Sequence, residues 1–248
     1  MNTAWAAPVK NWLNTGLGFF YPETCQFCQE QPSSVAEGFI CAECQKQVRP
    51  LQKPFCQRCG LPFEGEISTE FQCANCGDVE LHFSSARAAV VFSGVMLEVI
   101  HRYKYQQALW FEPFLANLLV RAAVPALSAR KPDLIVPVPL HPVKEREREF
   151  NQAGRLAAHL AAALEVPLNE KALRRVSFTV TQTALSRKDR AANMRGVFAV
   201  APGVRLDERR IVLVDDVLTT GATTNACAKV LRAAGAAEVC VWTVARGI

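Results

Sequence analysis

Residues 211–224 read Ile-Val-Leu-Val-Asp-Asp-Val-Leu-Thr-Thr-Gly-Ala-Thr-Thr. Four apolar residues predict a buried strand, and Asp215 and Asp216 emerge at its C-terminal end. A turn rich in hydroxyls, Thr219 to Thr223, leads into an Ala-rich helix over 224–234, ended by Gly235. In open α/β sheets, ligands bind outside the carboxyl ends of strands. A helix N-terminus presents backbone N–H groups and a positive partial charge to a phosphate. Thr hydroxyls add donors, and Gly221 admits close backbone approach. Two carboxylates just before such a cradle can accept hydrogen bonds from adjacent sugar hydroxyls. The ligand that fits is a ribose 5-phosphate. A plain N-cap needs one threonine, not two acids, three threonines and a glycine within residues 215–223. The Lys and the glycine spacing of a Walker A loop or a dinucleotide fingerprint are absent.

Outward from this segment, short apolar runs alternate with helical periodicity. Strands are expected at 86–92, 134–138, 174–180, 196–200 and 239–244, and helices at 95–105, 110–123 and 150–164. Lys144 to Glu149 alternates in sign, as an exposed helix start does. Strands separated by helices argue for a mainly parallel sheet with flanking helices, an α/β fold. Cys227 and Cys240, one in a helix and one in a strand, read as buried thiols.

The other eight cysteines form four Cys-x-x-Cys pairs: Cys25/Cys28, Cys41/Cys44, Cys56/Cys59 and Cys73/Cys76, separated by 12, 11 and 13 residues. Two such turns complete a tetrahedral thiolate site, and thiolates select Zn²⁺ or iron over hard cations. Ferredoxin-type spacing is missing, which leaves two zinc ions as the expectation, with a mononuclear iron site compatible with the same ligands. Sequential pairing is the simpler topology; spacing alone leaves a cross-braced one open. Gly60 and Gly77 follow their pairs where a tight turn can use φ > 0. The segment is too small for a core, so metal must supply much of its folding energy.

Residues 1–80 hold five Lys and Arg against nine Asp and Glu, whereas 81–248 hold 23 against 14. The ribbon segment, more acidic still once thiolates bind zinc, is a poor phosphate-backbone binder; the basic remainder suits an anionic ligand. The division expected is therefore 1–80, an N-terminal helix (Trp12, Leu13, Leu17, Phe19, Phe20) with a double ribbon, and 81–248, an α/β domain. No apolar run reaches the length of a membrane span. Residues 1–22 do not read as a signal peptide, so a cytoplasmic location, where disulfides rarely persist, is expected.

The segment 211–224 resembles the signature of type I phosphoribosyltransferases, and the whole chain resembles the ComF/GntX family, which joins a double zinc ribbon to a phosphoribosyltransferase domain. Leu134 to His141 matches the family's first-loop strand, Lys104-Tyr105 its Lys-Tyr pair, and Phe150-Asn151-Gln152 part of its Arg-Gly-Phe-Asn-Gln block. Gln182, Leu185, Arg190, Asn193 and Phe198 match further positions, while Glu149 stands where the family usually has glycine.

The resemblance implies binding of phosphoribosyl pyrophosphate (PRPP) with Mg²⁺ and a part in nucleotide or DNA metabolism. Asp215 and Asp216 would hold the ribose hydroxyls, and Thr219, Thr220, Gly221, Ala222 and Thr223 the 5-phosphate. The loop after Val138 would approach the pyrophosphate. Lys104, Lys144, Arg146, Arg187, Lys188 and Arg190 are basic candidates beside the leaving group, with Lys104, Arg146 and Arg190 the catalytic candidates for a phosphoribosyltransferase. The alternative it implies is a non-catalytic protein for competence, uptake or utilisation of single-stranded DNA, working with other DNA-uptake proteins.

Overall fold

The computed structural model describes residues 23–63, 65, 71–77, 79–177, 194 and 196–248. The N-terminal helix expected before residue 23 and most of the loop after Ser177, with Gln182, Leu185, Arg187, Lys188, Arg190 and Asn193, lie outside the described residues.

Two short helices, α1 (Ala42–Lys46) and α2 (Ala74–Gly77), belong to the cysteine ribbons. There follow β1 (Ser85–Val91), α3 (Val95–Tyr105), a 3-10 turn (Leu109–Phe111), α4 (Glu112–Ser128), β2 (Leu134–Pro137), α5 (Pro142–Arg148), α6 (Gln152–Leu164), β3 (Leu173–Arg175), β4 (Phe198–Val200), β5 (Arg210–Leu218), α7 (Ala222–Ala233) and β6 (Glu238–Arg246). The main sheet has the order β1-β6-β5-β2, every pair parallel, while β3 and β4 form a small antiparallel ribbon. This is the fold class expected: a parallel sheet with flanking helices, preceded by cysteine ribbons.

Alternation along β5 sorts the core into two layers, because successive strand residues face opposite sides. Val212 and Val214 pack with α3, α4 and α6 through Val99, Leu119 and Leu160. Ile211 and Leu213 pack with α7 through Cys227 and Leu231, together with Leu173 and Phe198 of the small ribbon. Cys227 and Cys240 are buried free thiols, as expected.

Three boundaries differ from the periodicity. Helix α4 runs on to Ser128, with Pro125 inside it. Strand β5 does not end at the acids but continues through them to Leu218, because β6 supplies partners as far as Arg246. Gly77 lies within α2 and is not at positive φ, unlike Gly60 at +65°. No helix of the described residues is long and apolar enough to cross a membrane.

Candidate functional site

The cysteines form two quartets, Cys25/Cys28/Cys41/Cys44 and Cys56/Cys59/Cys73/Cys76, each with its sulfurs within 4.8 Å of one another. Pairing is therefore sequential. Sulfur separations are 3.8 Å for Cys25–Cys44 and Cys28–Cys41, 3.7 Å for Cys56–Cys76 and 3.6 Å for Cys59–Cys73. A tetrahedron with zinc–sulfur bonds near 2.3 Å has edges of about 3.8 Å, so the quartets fit zinc. Burial pushes the thiols of Cys44 and Cys76 up. At Cys25 burial acts the same way, but the N–H groups of Cys41, Cys28 and Phe27 outweigh it and hold the thiol down at about 6.

The ribbons repeat one another closely. Cys25 N–H donates to Gln31 O and Gln29 N–H to Cys25 O; Cys56 N–H donates to Leu61 O and Gly60 N–H to Cys56 O. The residue after each first pair is left-handed, Gln29 at φ 61° and Gly60 at φ 65°. The second must be glycine, because a Cβ there would lie 2.7 Å from Ala86 O of β1.

The second ribbon is held to the sheet by polar contacts. Ala86 N–H donates to Arg58 O, Arg58 donates to Leu81 O and Phe83 O, and Arg87 to Gln57 O. The first ribbon instead places Cys25, Ile40, Cys41 and Cys44 in the main core and caps β1 through Leu51 N–H to Ala89 O and Val91 N–H to Arg49 O.

Asp215 and Asp216 sit near the end of β5, and their Oδ1 atoms accept from the N–H groups of Asp216 and Val217. Asp216 is 2% exposed, and Lys104 Nζ of α3 lies 2.6 Å from its Oδ2. Asp215 is half-buried. Burial pushes its carboxyl up to about 6, against the opposing charges of Lys104, Arg148 and Arg175. Burial likewise pushes Lys104 down to about 8; Asp215 opposes the shift and Arg148 adds to it.

Beyond the strand, Gly221 at φ 78° caps α7, a conformation that favours glycine whatever the space around it. Ala222 and Thr223 fall in the first helical turn, where N–H groups lack intrahelical partners. Thr220 Oγ1 accepts from Ala222 N–H, and Thr224 Oγ1 donates to Gly221 O. Thr219 is exposed.

A cleft of about 390 Å³ is lined by Lys104, Tyr105, Gln106, Gln107, Lys144, Glu147 and Arg148; it reaches the acids only through Lys104, which meets Asp216. The Arg148 guanidinium stacks 4.9 Å from the Tyr105 ring. Arg146, exposed on the same helix, is not among the lining residues. The sequence offers no sign of Arg175, which sits in a run readable only as strand. Glu149 holds the left-handed geometry, φ 64°, that glycine adopts freely, so α5 still ends in that turn.

A family model for the double zinc ribbon domain matches residues 16–80. Competence protein F of Haemophilus influenzae is 35% identical over 235 residues, covering 92% of this chain and 98% of that protein. The chain belongs to the ComF/GntX family. A further relative is the DNA utilization protein YhgH of Escherichia coli, 30% identical over 91% of this ComF-family chain and 97% of its own length. Competence protein ComFC of Streptococcus pneumoniae is 28% identical over 84% of this chain and 87% of its own. The purine phosphoribosyltransferase of Pyrococcus horikoshii aligns at 20% identity over 54% of this chain and 83% of its own, with a TM-score of 0.36. So partial a likeness adds nothing to the fold described above.

Proposed function

We propose that this ComF-family chain binds a ribose 5-phosphate group, with PRPP and Mg²⁺ as the full ligand, at Asp215–Thr223. The observation that carries the reading is the sequence of groups along one strand end. Two carboxylates, one pressed against Lys104, precede a hydroxyl-rich turn that opens onto the N-terminus of a helix of 12 residues.

In this reading Asp215 and Asp216 accept the ribose hydroxyls, and the turn holds the phosphate by backbone N–H and threonine hydroxyl groups. Lys104, Lys144 and Arg148 face the cleft where a pyrophosphate would lie. Burial and the nearby charge of Arg148 depress Lys104 and Lys144, with Arg175 adding at Lys144, so a polyanion would relieve both. Mg²⁺ bound with PRPP supplies charge neutralisation, keeping several of its waters. What the chain contributes is positioning and electrostatic stabilisation. Every one of these groups would serve a binder as well as a phosphoribosyltransferase.

The names of the relatives favour a second reading, handling of single-stranded DNA in competence or DNA utilisation, with other DNA-uptake proteins as partners. The basic residues after position 80 would follow the backbone, and Tyr105, 62% exposed, offers one ring for a base. Ten free cysteines, eight of them in metal quartets, support a reducing, cytoplasmic setting.

Calorimetry with PRPP and Mg²⁺ tests the first reading; absence of binding to the folded, zinc-loaded chain removes it. Pyrophosphate release across a panel of acceptors then separates turnover from binding. For DNA, the binding constant read by anisotropy of a labelled oligonucleotide should fall by about 0.7 log units per log salt for each phosphate neutralised, and PRPP should compete. Salt-insensitive binding contradicts the charge argument.

A further inference from the structure

Arg246, the last residue of β6, is 4% exposed, and no carboxylate among the described residues forms an ion pair with it. A buried cation needs compensation from every side. The guanidinium finds it in two directions. Toward the second ribbon, Nε donates to Cys59 O at 3.1 Å and Nη2 lies 3.8 Å from Cys59 Sγ. Toward the turn after β5, Nη1 donates to Leu218 O at 3.0 Å and Thr219 O at 2.6 Å, and also to Gly247 O. Gly247 closes the same clamp. Its N–H donates to Leu218 O, and a Cβ on it would meet Thr219 Cγ2 at 3.2 Å.

One planar fork therefore grips a zinc-ligand residue and the first residue of the Thr219–Thr223 turn. Arginine alone carries five donors in so fixed an arrangement; a lysine can satisfy one side but not both. A zinc centre of four thiolates keeps a net negative charge, the counter-charge that buried Arg246 otherwise lacks. Without metal the Cys59 knuckle would lose its tether, and Arg246 with it the contacts on that side. We infer that Arg246 is a positioning residue that couples the second zinc site to the Thr219–Thr223 turn, so that the turn is held in binding geometry only while that zinc is in place. The consequence for ligand rests on the phosphate-cradle reading above; the coupling itself does not.

The test uses the full chain and two variants. Arg246→Lys keeps the charge and removes the fork. Cys76→Ser removes a ligand of the same zinc whose own sulfur contacts are Cys56 and Cys73. Hydrogen exchange followed by mass spectrometry should show faster exchange in peptides covering 217–224 in both variants, while the β5 core, 211–214, stays protected. PRPP with Mg²⁺ should bind roughly five- to tenfold more weakly to both. Coupling is reciprocal, so PRPP should help the wild-type chain keep its second zinc against a competing chelator, and Arg246→Lys should lose that help. A purely structural role for Arg246 would not move this last readout. Unchanged exchange of the turn in both variants overturns the proposal, as does, where wild type binds PRPP, equal affinity in Cys76→Ser. If wild type binds no PRPP yet the turn loosens in the variants, the coupling stands and the ligand reading fails. Should Arg246→Lys not fold, Cys76→Ser and chelator-treated wild type carry the same comparison.

Discussion

The two cysteine ribbons have the same knuckles, similar bridging hydrogen bonds and similar sulfur tetrahedra, yet they differ in how much of each is sunk in the main core. The first has sunk three of its cysteines into the main core, the cluster that also holds Val99, Leu115 and Leu119. The second keeps a separate small cluster with Leu61, Phe63 and Leu81, and it meets the sheet through backbone carbonyls, Arg58, Arg87 and Arg246. Equal ligand sets therefore do not mean equal roles. Apolar docking makes a ribbon part of the fold, whereas docking by directional donors makes it an adjustable support for whatever those donors also touch.

The largest effect should separate the ribbons outright. Wild type is expected to carry two equivalents of zinc by elemental analysis of protein purified without added metal. Cys41→Ser should cost the whole chain its cooperative thermal transition, because it opens the main core as well as releasing metal. Cys73→Ser should keep a cooperative transition with one zinc. Equal loss in both variants would erase the distinction. A chain cut at Leu81 loses the core residues of the first ribbon as well and should not fold alone.

Next in size is the acid pair, whose effect should not touch either ribbon. Asp215→Asn with Asp216→Asn is expected to weaken PRPP binding ten- to a hundredfold, as loss of charge-assisted hydrogen bonds of about 1.5–3 kcal/mol does, with zinc content unchanged. Calorimetry with Mg²⁺ decides it. Asp215→Asn alone should raise the melting temperature near neutral pH. The carboxyl is held at about 6 in the folded chain against an ordinary 3.8, so ionising it destabilises the fold above that range, by roughly 1–3 kcal/mol. The gain should shrink as pH falls through 6 toward 3.8, where the folded and then the unfolded carboxyl are protonated. A pH-independent gain would show that the Asp215 charge is not its source.

Smaller and more local is the residue after each first cysteine pair. Gly60→Ala adds a Cβ 2.7 Å from Ala86 O at positive φ and should destabilise docking of the second ribbon by about 1–3 kcal/mol. Gln29→Gly, at the matching place in the first ribbon, relieves a left-handed residue and should stabilise by about 0.5–1 kcal/mol. Denaturant titration compares them; effects of the same sign would mean that the ribbons dock alike. Glu149→Gly, outside both ribbons, should show the least, a gain below about 1 kcal/mol with unchanged zinc content.

Much of this was legible in the residues. Short apolar runs marked the buried strands, and four Cys-x-x-Cys pairs announced two metal sites. Asp-Asp followed by Thr-Thr-Gly-Ala-Thr marked a strand end facing a helix N-terminus. What escaped depends on partners distant in sequence. Strand β5 outlasts its apolar run because Arg246 and Ala245 of β6 continue the ladder. The Lys104 contact with Asp216 joins residues on separate elements, and residue types alone place no ammonium beside one acid rather than another. The unequal docking of the ribbons is invisible in their spacing, since Ile40 and Leu61 are equally apolar as letters.

One consequence concerns the free edge of β1. Its outer ladder groups are taken by Arg49 and Leu51 near Val90 and by Arg58 O at Ala86, so a segment that needs metal to fold stands where another chain's strand would otherwise add. During synthesis under zinc scarcity that edge would stay open, and an open edge beside an apolar sheet is a template for self-association. Zinc supply is then expected to govern the solubility of the nascent chain as well as its shape.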